Sequence, residues 1–226
     1  MTTDIAVATE VHFSNWLGKN RNRVIGGGVV IALVALAVSY YFYDKNQTEI
    51  TASKAISKVQ PGPNAADAYL KIATENPGTP AAERATLLAA NELFAAGKYP
   101  DAQTQFERVA TDFPGTQFRD QSALGIAASL AAQGKTADAT TRYTDLIQRS
   151  PEAAAATQAR ASLASIYETQ GKFTEAIPLY QELARAEAYS SIGLEAGVRL
   201  QALLAQHPEL LAKPAAANTN ANISLK

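Results

Sequence analysis

The chain has 226 residues, with 20 Lys and Arg against 21 Asp and Glu, for a formal net charge of −1. The near-neutral balance persists over residues 44–226, with 17 basic and 19 acidic side chains, and it argues against nucleic acid as a partner. There is no cysteine, which excludes disulfides, thiol nucleophiles and a lipid-attachment cysteine, and fits an oxidising compartment.

Residues 1–23 read as a short N-terminal segment, in which Val11, Phe13, Trp16 and Leu17 suggest a brief interfacial helix. Residues 24–43 then run for twenty positions without a charge, enough to cross a hydrocarbon core of about 30 Å as a helix. Tyr40, Tyr41, Phe42 and Tyr43 form an aromatic belt at one edge, with Trp16 as an anchor toward the other. A buried core helix would not have basic residues at one end and four aromatics at the other. Cleavage as a signal peptide at Ala35-x-Ala37 is disfavoured, because Val38 and the aromatic cluster continue the apolar run. Lys19, Arg21 and Arg23 crowd the entry, whereas Lys45 stands alone at the exit before Lys54 and Lys58. This bias places the N-terminus in the cytoplasm and the rest outside; equal counts over longer windows keep the reverse orientation open. Gly26, Gly27 and Gly28, with the small pair Gly28-x3-Ala32, would let another membrane helix pack closely, though such residues are also ordinary in spans.

From residue 44 to 206 the chain repeats itself every 37 positions. Ala65, Ala102, Ala139 and Ala176 form one column, and Tyr69, Phe106, Tyr143 and Tyr180 a second, four residues later. Pro77, Pro114 and Pro151 follow the first three aromatics by eight, and Gly97, Gly134 and Gly171 precede the last three alanines by five. Self-similarity at such a period signals a stacked array. Within one period, Ala85, Leu88, Ala89 and Leu93 recur at helical spacing, Ala96-Gly97-Lys98 interrupts, and Pro100-Asp101 opens a second helix carrying Ala102, Phe106 and Val109. Each unit is therefore a helical hairpin, closed by a glycine that can take a left-handed turn. Ala65, Tyr69 and Pro77 belong to the second helix of an initial unit whose first helix spans about 46–59. Ile192 to Gln206 reads as a C-terminal capping helix, and residues 207–226 as a loose polar tail.

These columns resemble the tetratricopeptide repeat family, which carries Gly in the inter-helix turn, an aromatic two residues on, then Ala-x3-aromatic, then Pro. Gly97, Tyr99, Ala102, Phe106 and Pro114 match in full. Gly134, Ala139, Tyr143 and Pro151 match with Thr136 at the first aromatic site; Gly171, Phe173, Ala176 and Tyr180 match with Ala188 in place of the proline. The family's first-helix Trp is absent, and the period is 37 rather than the usual 34. The expected fold is all-α: an N-terminal transmembrane helix followed by a helical-hairpin solenoid.

In such a solenoid the first helices line the concave side. The residues expected there are Arg84, Leu87, Asn91 and Phe94, then Gln121, Leu124, Ala128 and Ala131, then Gln158, Ala161, Ser165 and Glu168. The row is small and apolar with a few amides, suited to a helix or an extended apolar segment of another protein, unless these side chains only pack between repeats or face water. Catalysis has little support. The only histidines are His12 and His207, no glycine-rich phosphate loop follows a strand, and Asp101, Asp138 and Glu175 recur where helix N-termini favour negative charge. No enzyme, cofactor, metal or small-molecule substrate is expected.

The layout as a whole is similar to the single-pass ancillary subunits of the SecYEG translocon. That resemblance implies an inner-membrane protein with a periplasmic repeat domain, acting as a chaperone-like adaptor. Its implied partners are translocon subunits, a periplasmic chaperone or prolyl isomerase, and unfolded clients. The alternatives are an envelope-assembly or cell-division scaffold with fixed partners, or a membrane adaptor facing the cytoplasm.

Overall fold

The computed structural model describes residues 2–210, with side chains described for Trp16 and from Gly18 onward. The side chains of Val11, Phe13 and Leu17 and the tail from residue 211 lie outside the described residues. Among the described residues there are nine α-helices, one short 3₁₀ turn and no strand. The chain divides into two units, residues 1–55 and 56–226.

The first unit consists of the greater part of α1 (Thr2–Lys58), a single helix of 57 residues. No proline occurs before Pro61, so nothing forbids the helical hydrogen bonds until the chain approaches that residue. The expected first-repeat helix at 46–59 is therefore a continuation of α1, because no proline or glycine separates it from the apolar run. From Gly18 to Lys58 this helix is long and apolar enough to cross a membrane.

The second unit is built from α2 (Ala65–Glu75), α3 (Pro80–Ala95), α4 (Tyr99–Asp112), α5 (Arg119–Ala132), α6 (Thr136–Arg149), α7 (Ala154–Thr169), α8 (Phe173–Ala186) and α9 (Ser191–Gln206). Each helix packs on the next, and the first helices α3, α5, α7 and α9 also touch one another in succession. The hairpin turns are alike. Gly97, Gly134 and Gly171 have φ of 75°, 76° and 71°, in the left-handed region. The lysine after each glycine donates its backbone N–H five residues back, Lys98 to Leu93, Lys135 to Leu130 and Lys172 to Tyr167, at 2.8–2.9 Å. Thr79 caps α3 by accepting from the Ala82 amide at 3.0 Å, and Ser190 caps α9 by accepting from Gly193 at 3.1 Å.

The alanine column is buried throughout, and Phe106, Tyr143 and Tyr180 lie 2–5% exposed at the centre of three successive core clusters. Alanine brings the two helices of a hairpin close, and the aromatic fills the space toward the next repeat. The partner there lies nineteen residues on. Phe106 faces Gly125, where a Cβ would come within 2.5–2.6 Å of its ring carbons. Tyr143 lies beside Ser162, and Tyr180 lines a small cavity with Arg199.

Two hydroxyls in α5, Ser122 Oγ and Ser129 Oγ, are fully buried with no hydrogen-bond partner. An unsatisfied buried hydroxyl costs about 1–3 kcal/mol, and alanine is the better helix former by a few tenths. Ser122→Ala and Ser129→Ala are therefore each expected to stabilise the protein by about 1 kcal/mol in urea unfolding; a loss of stability in both would mean that the hydroxyls are satisfied.

Candidate protein-interaction surface on the first helices

The 37-residue register stacks equivalent side chains of α3, α5 and α7 into rows. Arg84, Gln121 and Gln158 form one exposed row. Asn91, Ala128 and Ser165 form another, with Asn91 and Ser165 exposed and Ala128 half-buried. Both rows stay open because the second helices pack on the other side of the first helices. Gln121 and Gln158 present neutral amides that can donate and accept at once.

The remaining expected residues are turned toward the core to varying degrees. Leu87 is 5% exposed and sits in the cluster with Ala90 and Phe106. Leu124, Ala131 and Ala161 are half-buried against neighbouring clusters. Phe94 is half-buried and packs edge-on against Tyr99, with ring centroids 5.2 Å apart. Glu168 accepts a hydrogen bond from the Tyr180 hydroxyl at 2.7 Å and pairs with Arg199 at 3.7 Å. Burial, and then that carboxylate, push the Tyr180 phenol above its ordinary range. Ser165 and Ala161 meet Tyr180, Glu195 and Arg199 around a cavity of about 100 Å³ between α7 and α9. In α1, Gly28 and Ala32 are exposed, and a Cβ on Gly28 would meet nothing within 4 Å.

Three contacts across successive repeats escape a reading by helix periodicity. Glu83 accepts from the Thr116 hydroxyl. One repeat on, Asp120 accepts from Arg149 Nη2 and Ser150 Oγ, both at 3.1 Å. The next equivalent, Thr157, donates to Glu187 at 3.5 Å. Each pairs the start of a first helix with the joint or helix end some thirty residues later, a spacing visible in sequence only once the repeat is known. Arg160 adds a second tie, with Nε 3.0 Å from Glu182 and an Nη1 donating to the Pro151 carbonyl. His207 caps α9, its ring lies 4.1 Å from that of Phe173, and its Nδ1 is 3.1 Å from Glu209. Among the described residues no cluster of His, Cys, Asp or Glu could hold a metal.

This arrangement is a helical-hairpin solenoid of the tetratricopeptide type, a fold class that serves as a protein-interaction scaffold and is typically non-enzymatic. The family model described as a tetratricopeptide repeat-like domain matches residues 14–112. Among solved structures, the chain is similar to a crystal structure of nearly identical TPR-like repeats from a Podosopora anserina kinesin light chain. The TM-score is 0.54 at 15% identity, over 74% of this chain and 88% of that one, a likeness of fold. None of the curated proteins matches the chain in sequence. The family match ends with α4, so for the later repeats the likeness rests on the columns, the turns and the fold.

Proposed function

We propose that the protein is a membrane-anchored, chaperone-like scaffold that holds polypeptide segments along its first helices, on the outer side of an inner membrane. The observation that carries this reading is the exposed row of Arg84, Gln121 and Gln158, with Asn91 and Ser165 beside it, on a protein-interaction fold. Neutral amides at regular spacing suit the backbone of an extended or helical segment better than a charged ligand. The long apolar helix supports the anchor, and Lys19, Arg21 and Arg23 support a cytoplasmic N-terminus with periplasmic repeats. In that orientation the fitting partners are translocon subunits, a periplasmic chaperone or prolyl isomerase, and unfolded exported chains.

The test is site-specific photocrosslinking in intact membranes. A photoreactive residue at Gln121 or Gln158 of the full chain is expected to capture translocon subunits, periplasmic chaperones or exported chains. Position Glu107, exposed on α4, serves as the control. Adducts no more abundant than at Glu107 would remove the proposed surface. Adducts with cytosolic proteins alone would reverse the orientation. A few fixed envelope partners that diverse unfolded peptides do not displace would favour an assembly scaffold over a chaperone.

A further inference from the structure

The seam between α7 and α9 differs in one residue column from the two seams before it. Leu87, Leu124 and Ala161 occupy equivalent positions on α3, α5 and α7. Leu87 packs in the cluster that holds Phe106, and Leu124 packs against the cluster that holds Tyr143. Each leucine therefore fills space beside the aromatic of its own hairpin. Beside Tyr180 the column supplies only Ala161, which lacks leucine's isopropyl group, and Ala161 lines the hollow of about 100 Å³ found there. The hollow opens on the candidate surface. Ser165 belongs to the row of Asn91, and Glu195 lies 37 residues after Gln158, in the row of Arg84. These two, with Arg199, are exposed at its mouth, while buried Tyr180, Leu183 and Ala196 form its floor.

We propose that this hollow holds one leucine-like side chain of a bound polypeptide, supplied from outside where the two earlier repeats supply their own. The inference rests on the first-helix surface proposed above and names what that surface selects. The buried floor rewards an aliphatic group, whereas a charged side chain would lose its hydration there. The mouth is suited to the backbone that carries such a group. Glu195 can accept from a peptide N–H, and the Ser165 hydroxyl can donate or accept. Arg199 has five N–H donors, so its pairing with Glu168 at 3.7 Å leaves others for a peptide carbonyl. A bare hydrocarbon chain would fill the floor and leave these groups unmatched.

The probe is an acetylated and amidated peptide, Gly-Ser-Gln-Leu-Gln-Ser-Gly, with a twin that carries alanine in place of the leucine. Each is titrated into the methyl-labelled full chain in detergent and followed by NMR. The leucine peptide is expected to shift the Leu183 and Ile192 methyl signals saturably, and the alanine twin to bind about tenfold more weakly, for want of the buried isopropyl group. Ala161→Leu restores the residue of the two earlier repeats, and is expected to abolish the preference with helical content unchanged. Equal binding of the two peptides by the wild-type chain overturns the proposal, and that comparison needs no variant to fold. A folded Ala161→Leu chain that keeps the preference overturns it too. Shifts confined to the side-chain amides of Gln121 and Gln158 would overturn the hollow's role and leave the surface reading standing. Failure of the surface itself is read separately, from the crosslinks at those two positions.

Discussion

Phe106→Ala is expected to cost the protein about 3–5 kcal/mol, the usual range for emptying a buried phenylalanine site. The ring is 3% exposed and stands in the cluster formed by α3 and α4, against α5. Two losses combine. The ring's own transfer from water is forfeited, and the cavity left behind cannot close easily, because Gly125 has no side chain to move into it. The backbone of α5 would have to shift, and its approach is fixed by the cluster below it. Urea unfolding followed by far-ultraviolet circular dichroism gives the number. A cost below about 1 kcal/mol would mean that the seam between the first two full repeats repacks without the ring.

The second large effect is expected at Gly193, in the first turn of α9. A Cβ there would land on the backbone carbonyl of Glu187 and within 3.0 Å of the Glu187 Cβ. The same carbonyl already accepts from the Ser190 amide at 2.8 Å, so it is held in place. Replacing glycine by alanine inside a helix normally gains about 1 kcal/mol. Here the gain is outweighed, because the obstacle is backbone and cannot rotate aside as a side-chain tip can. Gly193→Ala is expected to lose about 3 kcal/mol or to detach the start of α9 altogether. Limited proteolysis distinguishes the outcomes: cleavage concentrated between Ala186 and Ser191 marks detachment of α9. A variant with wild-type stability and wild-type resistance would show that the joint relaxes freely.

The sequence discloses what depends on period and hides what depends on approach. The alanine column, the aromatics Phe106, Tyr143 and Tyr180, and the glycine column predict which residues are buried and which take the left-handed turn, because these demands repeat from hairpin to hairpin. Gly193 and Gly125 do not stand out in the sequence, since each is required by one contact that occurs once. The continuity of α1 past Tyr43 was equally hidden, because composition changes there while the backbone has no reason to break. For the candidate surface, helical counting finds Gln121, Gln158 and Asn91 but gives no hint that Glu168 is engaged by Tyr180 and Arg199. Its partners arrive from the hairpin's second helix and from the following repeat, at separations that helical periodicity does not cover. Leu87 makes the same point in reverse: it shares a helical face with Arg84 and Asn91, yet the core takes it.

The contacts nineteen residues apart also bear on how such a chain can change. The three hairpins look interchangeable, with matching turns and matching columns. Their seams are keyed. Phe106 needs Gly125, Tyr143 lies beside Ser162, and Tyr180 lies beside Arg199. Deleting one 37-residue block to join α4 directly to α7 would set the Phe106 ring against Ser162, where a side chain stands in place of bare backbone. Swapping blocks would leave tyrosine hydroxyls opposite glycine. The repeats therefore carry addresses as well as shapes, and their order along the chain is written in the pairs that join them.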